Sequence, residues 1–446
     1  MKHRALEIVE ALQDQGFIAY WVGGCVRDII LRQDPKDYDI VTSATPDEIE
    51  GVFPQTKAVG KSFGVMLVRM GEDDFEVATF RRDGDYIDGR RPESVHFCSP
   101  EEDAYRRDFT INGIFYDPVK KKFIDFVKGR SDLRRGILRF IGDPHERIIE
   151  DNLRILRAIR FKNRFQLSYE KYTARALESH ADLVSNIAPE RISQELNSIL
   201  VDRGRSSAFK DLDRFNIGVV LLPEIWDLKE TPQPADHHQE GNVFNHSLDV
   251  IDQFRPGVSL ECVWAGLLHD VGKLKTFKFE GARMTFFNHP QVGAEIVRVI
   301  GDRFKMSSQL INSIEWLVHH HHIFDQWDQM TLARKLHYFD HPLFQDLLNL
   351  HRADIFGSKP SNWDNRKFLR VQIEDIQREF YEAHRDENVP SAVPEFFTGE
   401  EIMEIMGIEP GARVGEIKSS LREMQLDGVF ESKSIAADYL KSLNNL

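Results

Sequence analysis

Two aspartates stand where a charged segment enters an apolar run, in the stretch KDYDIV that contains Asp37 and Asp39. Residues i and i+2 of a strand point to the same face, so a strand here would bring the two carboxylates together. Adjacent carboxylates repel unless a cation lies between them, and the pair therefore indicates a Mg²⁺ site for phosphoryl transfer. A third carboxylate, Glu76, lies in the β-like run FEVATF. The alternatives are a solvated turn for the aspartates and an exposed strand face for Glu76.

A pair of glycines, Gly23 and Gly24, precedes these acids in the stretch WVGGCVRD, between a short predicted strand and a helix. Glycines at such a turn let backbone N–H groups approach phosphate oxygens, and the helix N-terminus and Arg27 add positive potential. With Asp28, these residues form the first candidate nucleotide-binding group. A Gly-Gly pair is also typical of an ordinary turn.

The stretch EDNLRILRAIRF contains candidate base-reading residues. Asp151 and Arg154 are three residues apart and Glu150 and Arg154 four apart, so on one helix they would share a side. A carboxylate accepts from the exocyclic amine of cytosine or adenine while an arginine donates to their ring acceptors; uracil and guanine do not fit such a pair. The alternative is an ordinary intrahelical salt bridge. Arg157 and Arg160 are either triphosphate ligands or solvated surface, and their place next to the domain with the paired aspartates favours phosphate.

Histidines and aspartates follow in the order H…HD…D, and the HD pair lies in the stretch LLHDVGK. Imidazoles with carboxylates suit a divalent transition metal that activates water for phosphoester hydrolysis. His289 and one of the histidines 319–322 would complete a second metal position, but each of these is interpreted as a surface histidine. The alternative is a metal bound for stability, or a docking domain, without turnover. The predicted ligands are His246, His269, Asp270 and Asp354.

The order of elements must position these residues. Short β-like runs alternate with helical stretches up to about residue 140, after which the strands stop and apolar residues recur at helical spacing, as at Ile192, Leu196 and Leu200. We predict an α+β protein, with a mixed-sheet head followed by an all-helical remainder. Breaks at 231–241 and 357–365 divide the remainder. The predicted parts are a head (1–140), a neck and body (141–235), a domain with the histidines (236–360) and a helical tail (361–446).

Composition excludes several classes of protein. The 446 residues are 41% hydrophobic with no run long enough for a membrane helix, which argues against a disordered or membrane-spanning chain. The net charge of −14 argues against indiscriminate coating of nucleic acid, although residues 130–164 hold ten basic and five acidic side chains. Three scattered cysteines and the absence of a signal-peptide pattern predict a cytoplasmic protein.

Taken in order, these motifs resemble the nucleotidyltransferase superfamily, and further stretches resemble the class II tRNA nucleotidyltransferase and bacterial poly(A) polymerase family. RRDFTIN is similar to the family's RRDxTxN motif, ERISQE to its ERxxxE motif, and EDNLR to its EDxxR motif, with Asn152 where proline is usual. The resemblance implies ribose and triphosphate recognition by Arg107, Asp108 and Asn112. It also implies that Asp151 and Arg154 select the incoming base.

The stretch VGKSFGV is closer to the GKxFG form of CCA-adding enzymes than to the basic form of poly(A) polymerases. Residues 81–92 resemble the full-length flexible loop that terminal A addition needs, which disfavours CC-only addition and leaves CCA and A-only addition open. The H…HD…D order resembles the HD phosphohydrolase domain, and residues 398–428 resemble the C-terminal region of HD-containing CCA enzymes.

The resemblance implies Mg²⁺-dependent addition of CCA to the tRNA acceptor arm from CTP and ATP, with release of pyrophosphate and no role for DNA or membrane. The alternatives are A-only addition or poly(A) synthesis. An alternative from another functional class is an HD phosphohydrolase whose head merely binds RNA. The HD domain would then act on a 2′,3′-cyclic phosphate, a 2′-nucleotide or a small phosphoester. The activity and metal of the HD site, the oligomeric state and the mechanism of termination stay open.

Overall fold

A computed structural model describes residues 1–84, 94–234, 239–281, 283–359, 363–385, 394–430 and 432–443. The chain divides into two compact units, Met1–Pro223 and Glu224–Leu446. A mixed-sheet head followed by a mostly helical remainder confirms the predicted fold class. Within the described ranges, no helix combines the length and the apolar character that a membrane crossing requires.

The head is built on a seven-stranded sheet of order β3-β4-β5-β2-β1-β8-β9, with β6 and β7 paired separately. Strand β2 runs parallel to β5, and the other neighbours in the sheet are antiparallel. Because Ile40 pairs with Val77, the start of β2 lies beside Glu76 of β5. The strands are β1 (Ala19–Val22), β2 (Asp39–Thr42), β3 (Thr56–Gly60), β4 (Val65–Met70), β5 (Asp73–Thr79), β6 (Arg81–Asp83), β7 (Val95–Phe97), β8 (Phe115–Asp117) and β9 (Lys122–Ile124).

Four helices accompany the sheet, and the first of them covers part of one face. Ile8 and Leu12 pack in one buried cluster with Trp21, Ile40 and Val77, so the first helix and three strands share a core. Burial of this apolar surface is the dominant favourable term in folding the head. The helices are α1 (Lys2–Asp14), α2 (Gly24–Ile30), α3 (Pro46–Val52) and α4 (Pro100–Tyr105).

The rest of the N-terminal unit is mostly helical. Ile192, Leu196 and Leu200 are buried along one helix, as predicted. The expectation that strands stop near residue 140 is wrong, because two short strands pair in parallel here and a hairpin follows in the second unit. The elements are α5 (Gly129–Arg135), β10 (Ile137–Leu138), α6 (Pro144–Glu150), α7 (Arg154–Arg164), β11 (Ser168–Tyr169), α8 (Lys171–Ser179), α9 (Pro189–Val201), α10 (Arg205–Arg214) and α11 (Gly218–Leu221).

The C-terminal unit packs helices α13, α14, α17 and α19 against one another around the fully buried Trp264 and Leu267. The last three helices form a separate small core that contains Ile402 and Leu440. The elements are α12 (Pro223–Trp226), α13 (Val243–Gln253), α14 (Leu260–Leu268), α15 (Lys273–Thr276), β12 (Lys278–Glu280), β13 (Arg283–Thr285), α16 (His289–Arg303), α17 (Ser308–His320), α18 (Leu332–Phe339), α19 (Phe344–Gly357), α20 (Trp363–Arg385), α21 (Gly399–Met406), α22 (Ala412–Leu426) and α23 (Lys433–Leu443).

Candidate active site and candidate metal centre

A cleft of about 1040 Å³ opens in the N-terminal unit, where nine arginine and lysine side chains and five aspartates line it. The structure brings together in this cleft every nucleotide-site residue predicted from the head and neck motifs except Glu76. A strongly cationic cleft with a few acids has the charge expected for a triphosphate accompanied by a metal. The predicted residues that line it are Gly23, Gly24, Arg27, Asp28, Asp37, Asp39, Arg107, Asp108, Asn112, Asp151, Arg154, Arg157 and Arg160.

The Gly-Gly turn brings the backbone close to the first aspartates. Gly23 has φ of +72°, and a Cβ atom there would lie 3.6 Å from Oδ2 of Asp39 and 3.9 Å from Nη1 of Arg107. A side chain at this position would be strained and would narrow the space beside the carboxylate. Glycine therefore keeps the mouth of the cleft open where the acids lie.

The two aspartates do not lie on one strand, because Asp37 precedes β2 and only Asp39 belongs to it. Both nevertheless line the cleft. Burial, together with the negative charges of Asp37 and Glu76, raises the pKa of Asp39 to about 6, and Arg107 opposes this. Glu76 is exposed, and the ligand atoms of the three carboxylates are not gathered within 4.8 Å of one another. The negative potential at Asp39 is what a bound cation would relieve.

Side-chain oxygens of neighbouring residues hold arginines of the cleft in place. Arg27 donates from Nη1 to Oδ1 of Asn112 at 2.8 Å, and Arg157 donates from Nη2 to Oδ2 of Asp108 at 2.6 Å. Burial raises the pKa of Asp108, but the charge of Arg157 and hydrogen bonds from Asn112 and from a backbone N–H outweigh it, leaving the pKa at about 2. These guanidinium groups are therefore oriented before any ligand arrives.

The candidate base-reading residues are arranged differently from the prediction. Asp151 has extended backbone angles (φ −144°, ψ 102°) between α6 and α7, so the expectation that it shares a helix side with Arg154 is wrong. Arg154 donates from Nη1 to Oε2 of Glu150 at 2.6 Å, while Asp151 accepts from both Nη1 and Nη2 of Arg191 at 3.0 Å. Each member of the pair has its own ion-pair partner, and both still line one cleft.

Further residues line the cleft that the motif analysis assigned no role. Four of them are cationic, and Phe161 has Arg160 at 4.4 Å and Arg157 at 5.0 Å from its ring centroid. Arg160 also donates to Glu195 at 2.6 Å, so it lines the cleft while it is ion-paired. Residues 85–92 of the predicted flexible loop lie outside the described part of the chain. The added lining residues are Lys36, Val59, Phe63, Arg81, Arg106, Phe161 and Arg164.

A second site lies in the C-terminal unit, where histidines and aspartates form two adjacent groups with ligand atoms within 4.8 Å of one another. In the first group, Nε2 of His246 lies 3.2 Å from Nε2 of His269 and 2.9 Å from Oδ1 of Asp354. The second group combines Asp270, His289, His321 and His322. All four predicted ligands therefore lie in the two groups.

Asp270 connects the two groups. Its Oδ2 lies 3.4 Å from Nε2 of His269, and its Oδ1 lies 3.3 Å from Nε2 of His289. The interpretation of His289 and of the 319–322 run as surface histidines is wrong for His289 and His321, which are buried. His321 lies at the end of α17, and burial lowers its pKa well below the usual range. A neutral imidazole is the form that ligates a metal.

The other ring nitrogen of each buried histidine is held by a hydrogen-bond acceptor. Nδ1 of His246 lies 3.0 Å from Oε1 of Glu240, and Nδ1 of His269 lies 2.9 Å from the carbonyl oxygen of Gly266. Nδ1 of His289 and of His321 likewise face backbone carbonyl oxygens, at 2.9 and 2.7 Å. Such partners fix the tautomer and point Nε2 at a metal. Motif analysis did not identify Glu240, which lies before the first motif histidine.

Close packing of backbone explains why the HDVGK stretch has a glycine at position 272. A Cβ atom at Gly272 would overlap the carbonyl oxygen of His289 and the backbone N–H of Gly293. The turn after Asp270 therefore packs directly on the first turn of α16. This close approach places His289 beside Asp270, and any larger residue would push the two apart.

Three parts of the chain match known protein families. Residues 19–139 match the poly(A) polymerase head domain, and residues 166–229 match the probable RNA- and SrmB-binding site of polymerase A. Residues 243–353 match the HD domain.

Relatives with curated names belong to two kinds. A CCA-adding enzyme of Staphylococcus epidermidis is 38% identical over 47% of this chain and 54% of its own length. Poly(A) polymerase I of Haemophilus influenzae is 36% identical over 50% of this chain and 51% of its own. A CCA-adding enzyme of Ligilactobacillus salivarius is 37% identical over 61% and 63%. The chain spans about half the length of the first curated relatives that it matches.

Solved structures extend the likeness in fold to nearly the whole chain. The Bacillus stearothermophilus CCA-adding enzyme in complex with CTP is similar with a TM-score of 0.66 and 24% identity, over 99% of this chain and 97% of that one. The Thermotoga maritima CCA-adding enzyme complexed with tRNA is similar with a TM-score of 0.52 and 20% identity, over 98% and 94%.

Proposed function

From the premise that this chain belongs to the family of tRNA nucleotidyltransferases and bacterial poly(A) polymerases, we propose that it adds CCA to the 3′ end of tRNA from CTP and ATP without a nucleic-acid template. The observation that carries this proposal is the cleft. A carboxylate pair, oriented arginines and a candidate base-reading pair all line one cavity of about 1040 Å³. Relatives named CCA-adding enzymes support the tRNA substrate over poly(A) synthesis.

Asp37 and Asp39 would hold Mg²⁺, which when bound supplies positive charge to the triphosphate. The raised pKa of Asp39, about 6, supports this assignment because unrelieved negative charge surrounds that carboxylate. Glu76 lies beside Asp39 on the neighbouring strand and adds to that potential. Arg27, Arg107 and Asn112 with the Gly-Gly turn bind the triphosphate and ribose. The tRNA 3′-hydroxyl then attacks the α-phosphorus, and pyrophosphate leaves.

The incoming base is chosen by Asp151 and Arg154. Arg191 holds the carboxylate of Asp151, which retains lone pairs for the exocyclic amine of cytosine or adenine. Arg154 uses Nη1 for Glu150 and for the carbonyl oxygen of Arg147, and Nη2 makes a longer contact of 3.4 Å with the carbonyl oxygen of Arg106. The second N–H of Nη2 and the N–H of Nε are the groups that would donate to the base. Uracil and guanine present a carbonyl where the carboxylate expects an amine, and they are rejected.

A second function, phosphoester hydrolysis, is favoured by the two histidine–aspartate groups. The residues fit a divalent transition metal, because buried imidazoles with held tautomers converge on carboxylates. In the reaction, water forms a new P–O bond, the bond to the leaving oxygen breaks, and that oxygen takes a proton. The family likeness supports a 2′,3′-cyclic phosphate, a 2′-nucleotide or a small phosphoester as substrate. Metal binding for stability or tRNA docking remains the alternative role.

The four predicted parts keep their roles in this proposal. Residues 1–140 carry the chemistry, 141–235 select the nucleotide and contact RNA, 236–360 hold the HD site and 361–446 form the tail. The tRNA acceptor arm is gripped by phosphate and shape, as duplex RNA usually is, with no role for DNA or membrane. Three free cysteines suit the reducing cytoplasm, where we place the protein.

Three tRNA transcripts test the proposal, ending before CCA, after CC and after CCA, each with Mg²⁺, CTP and ATP and resolved at single-nucleotide length. Extension of the first by three nucleotides, followed by arrest, is the expected result. Extension of only the CC-ended transcript by one A would instead establish A-only addition. Continued growth of the CCA-ended transcript would establish poly(A) synthesis.

Asp37→Ala separates the transferase from the HD phosphohydrolase reading. The variant should lose nucleotide incorporation, because one carboxylate of the proposed Mg²⁺ site is gone, and should keep phosphoester hydrolysis. Asp34→Ala is the matched control, since it removes an exposed aspartate nearby in the sequence that does not line the cleft. Unchanged incorporation by Asp37→Ala would refute the metal assignment.

A further inference from the structure

A short hairpin leads into the histidine–aspartate groups. Strand β12 pairs with β13 so that Phe279 lies opposite Met284. Residues two apart on a strand share a face, which places Phe277 and Phe286 on the same face as Phe279. Ring centroids confirm a continuous row, since Phe277 lies 5.1 Å from Phe279 and 5.6 Å from Phe286. The hairpin therefore carries an aromatic face.

One end of this aromatic row lies at the candidate metal centre. Nζ of Lys273 lies 5.2 Å from the ring centroid of Phe286 and 2.6 Å from Oδ2 of Asp270. The carbonyl oxygen of Phe286 also faces Nδ1 of His289, at 2.9 Å. The far end is open to solvent, where Phe279 is 62% exposed; Phe287, just after the row, is 85% exposed. Exposed phenylalanines beside a catalytic centre call for a ligand with an apolar face.

The same segment is basic within an acidic chain. Residues 273–289 contain four lysines and arginines and one acid, Glu280, whereas the whole chain has a net charge of −14. Lys275, Lys278 and Arg283 are exposed and form no ion pair with any residue in the described ranges. Their charges are therefore available to a polyanion.

We propose that this hairpin docks single-stranded RNA, with bases stacked on Phe279 and Phe287 and phosphates beside Lys275, Lys278 and Arg283, so that the end of the strand lies at the histidine–aspartate groups. The inference rests on the proposed hydrolytic function and names its substrate class. Aromatic faces interleaved with unpaired cations are what single-stranded nucleic acid recognises. Two separate exposed rings and three exposed cations exceed what one mononucleotide engages, and this favours a strand.

Photo-crosslinking tests the docking without relying on turnover. The probe is an RNA of about ten nucleotides with internal 4-thiouridines near its 3′ end, incubated with the full Mn²⁺-loaded chain, and the crosslinks are mapped by mass spectrometry. Crosslinks should map to residues 273–289, and Phe279→Ala combined with Phe287→Ala should reduce them at least about 30-fold, the loss expected when two stacked bases lose their rings. Tyr381→Ala, which removes another exposed aromatic ring (54% exposed) of the same unit, should leave them unchanged.

A second variant tests the proposed phosphate contacts, so that the proposal stays testable even if the aromatic variant does not fold. Crosslinking at the hairpin should fall as salt concentration rises. In Lys278→Gln combined with Arg283→Gln, the slope of log affinity against log salt concentration should be shallower by about 0.7 for each phosphate contact removed. An unchanged slope would overturn the placement of the phosphates. In a contrary outcome, the parent chain binds anionic phosphatidylserine vesicles, the aromatic variant does not, and neither gives an RNA crosslink. This result would overturn the proposal in favour of a membrane surface.

Hydrolysis distinguishes failure of docking from failure of the proposed activity. The readout is the ratio of kcat/KM for an RNA ending in a 2′,3′-cyclic phosphate to that for p-nitrophenyl phosphate, which has no base. The aromatic double variant should lower this ratio at least about 30-fold. An unchanged ratio without hairpin crosslinks would overturn docking while hydrolysis stands. Hairpin crosslinks without hydrolysis of either compound would uphold docking and refute the hydrolytic function.

Discussion

Arg191 holds the carboxylate of Asp151, for which we propose the base-reading role, and Arg191→Lys tests that role. Arg191 makes two hydrogen bonds of 3.0 Å to the two oxygens of Asp151. Lysine keeps the positive charge but cannot make the planar two-point contact, so one bond is lost and the carboxylate can rotate. The variant therefore perturbs the orientation of Asp151 while the local charge is unchanged.

The expected loss of base selectivity follows from the strength of the lost hydrogen bond and the solvent exposure of its two side chains. A hydrogen bond to a charged group contributes about 1.5–3 kcal/mol when it is well buried. The two side chains are 21% and 18% exposed, so partial screening reduces the loss to about 1 kcal/mol. That energy corresponds to about a fivefold loss in selectivity for CTP over UTP, because tenfold in rate is about 1.4 kcal/mol.

Single-turnover incorporation of CMP and UMP on a transcript that ends before CCA measures this selectivity. The matched control is Arg139→Lys, which alters an arginine–carboxylate pair of 2.9 Å with Asp132 away from the cleft lining. We expect the ratio of kcat/KM values to fall in Arg191→Lys and to stay constant in the control. Equal selectivity in both variants and the parent would refute the base-reading role of Asp151.

Three further predictions concern the metal centre and the ion pairs. Glu240→Gln should weaken Mn²⁺ binding at the histidine–aspartate groups about 10- to 100-fold by calorimetric titration, because the acceptor for an imidazole N–H loses its charge. Gly272→Ala should lower metal content after dialysis, as the added Cβ overlaps backbone, whereas Gly415→Ala, with open space around it, should not. The pKa of Asp108 is depressed to about 2, so its ionised form stabilises the fold above about pH 4 and this stability is lost as pH falls towards 2. Arg157→Met should accordingly lower the melting temperature of the N-terminal unit at pH 7, and should lower it much less near pH 2.

Local sequence pattern was sufficient for the elements whose signals are short-range. The strand at Ala19–Val22 precedes the Gly-Gly turn, as predicted, and the head alternates strands with helices such as Pro46–Val52. A glycine turn and a Thr-Pro helix start mark these two elements. The hairpin of Lys278–Glu280 with Arg283–Thr285 was missed because its strands are only three residues long. Such a hairpin is stabilised by the helices that flank it, and sequence periodicity does not register that support.

The cleft was predicted from residue types, but its internal pairing was not. Spacing placed Asp151 and Arg154 on one helix side, whereas the backbone leaves the helix at Asp151 and the carboxylate pairs with Arg191, forty positions later in the chain. Burial of His289 and His321 was missed for the same reason. Contacts between segments distant in sequence decide both features, and one chain without its relatives contains no direct signal for them.

Asp270 gives the histidine–aspartate groups a property that neither would have alone. Its two oxygens face different groups, so a single side chain is shared between them. Whatever positive charge accumulates at one group polarises and reorients that shared carboxylate and changes the free energy of binding at the other. By thermodynamic reciprocity the influence is equal in both directions. If both groups bind metal as proposed, the two binding events are coupled, and a titration fitted with two independent sites would misstate both affinities.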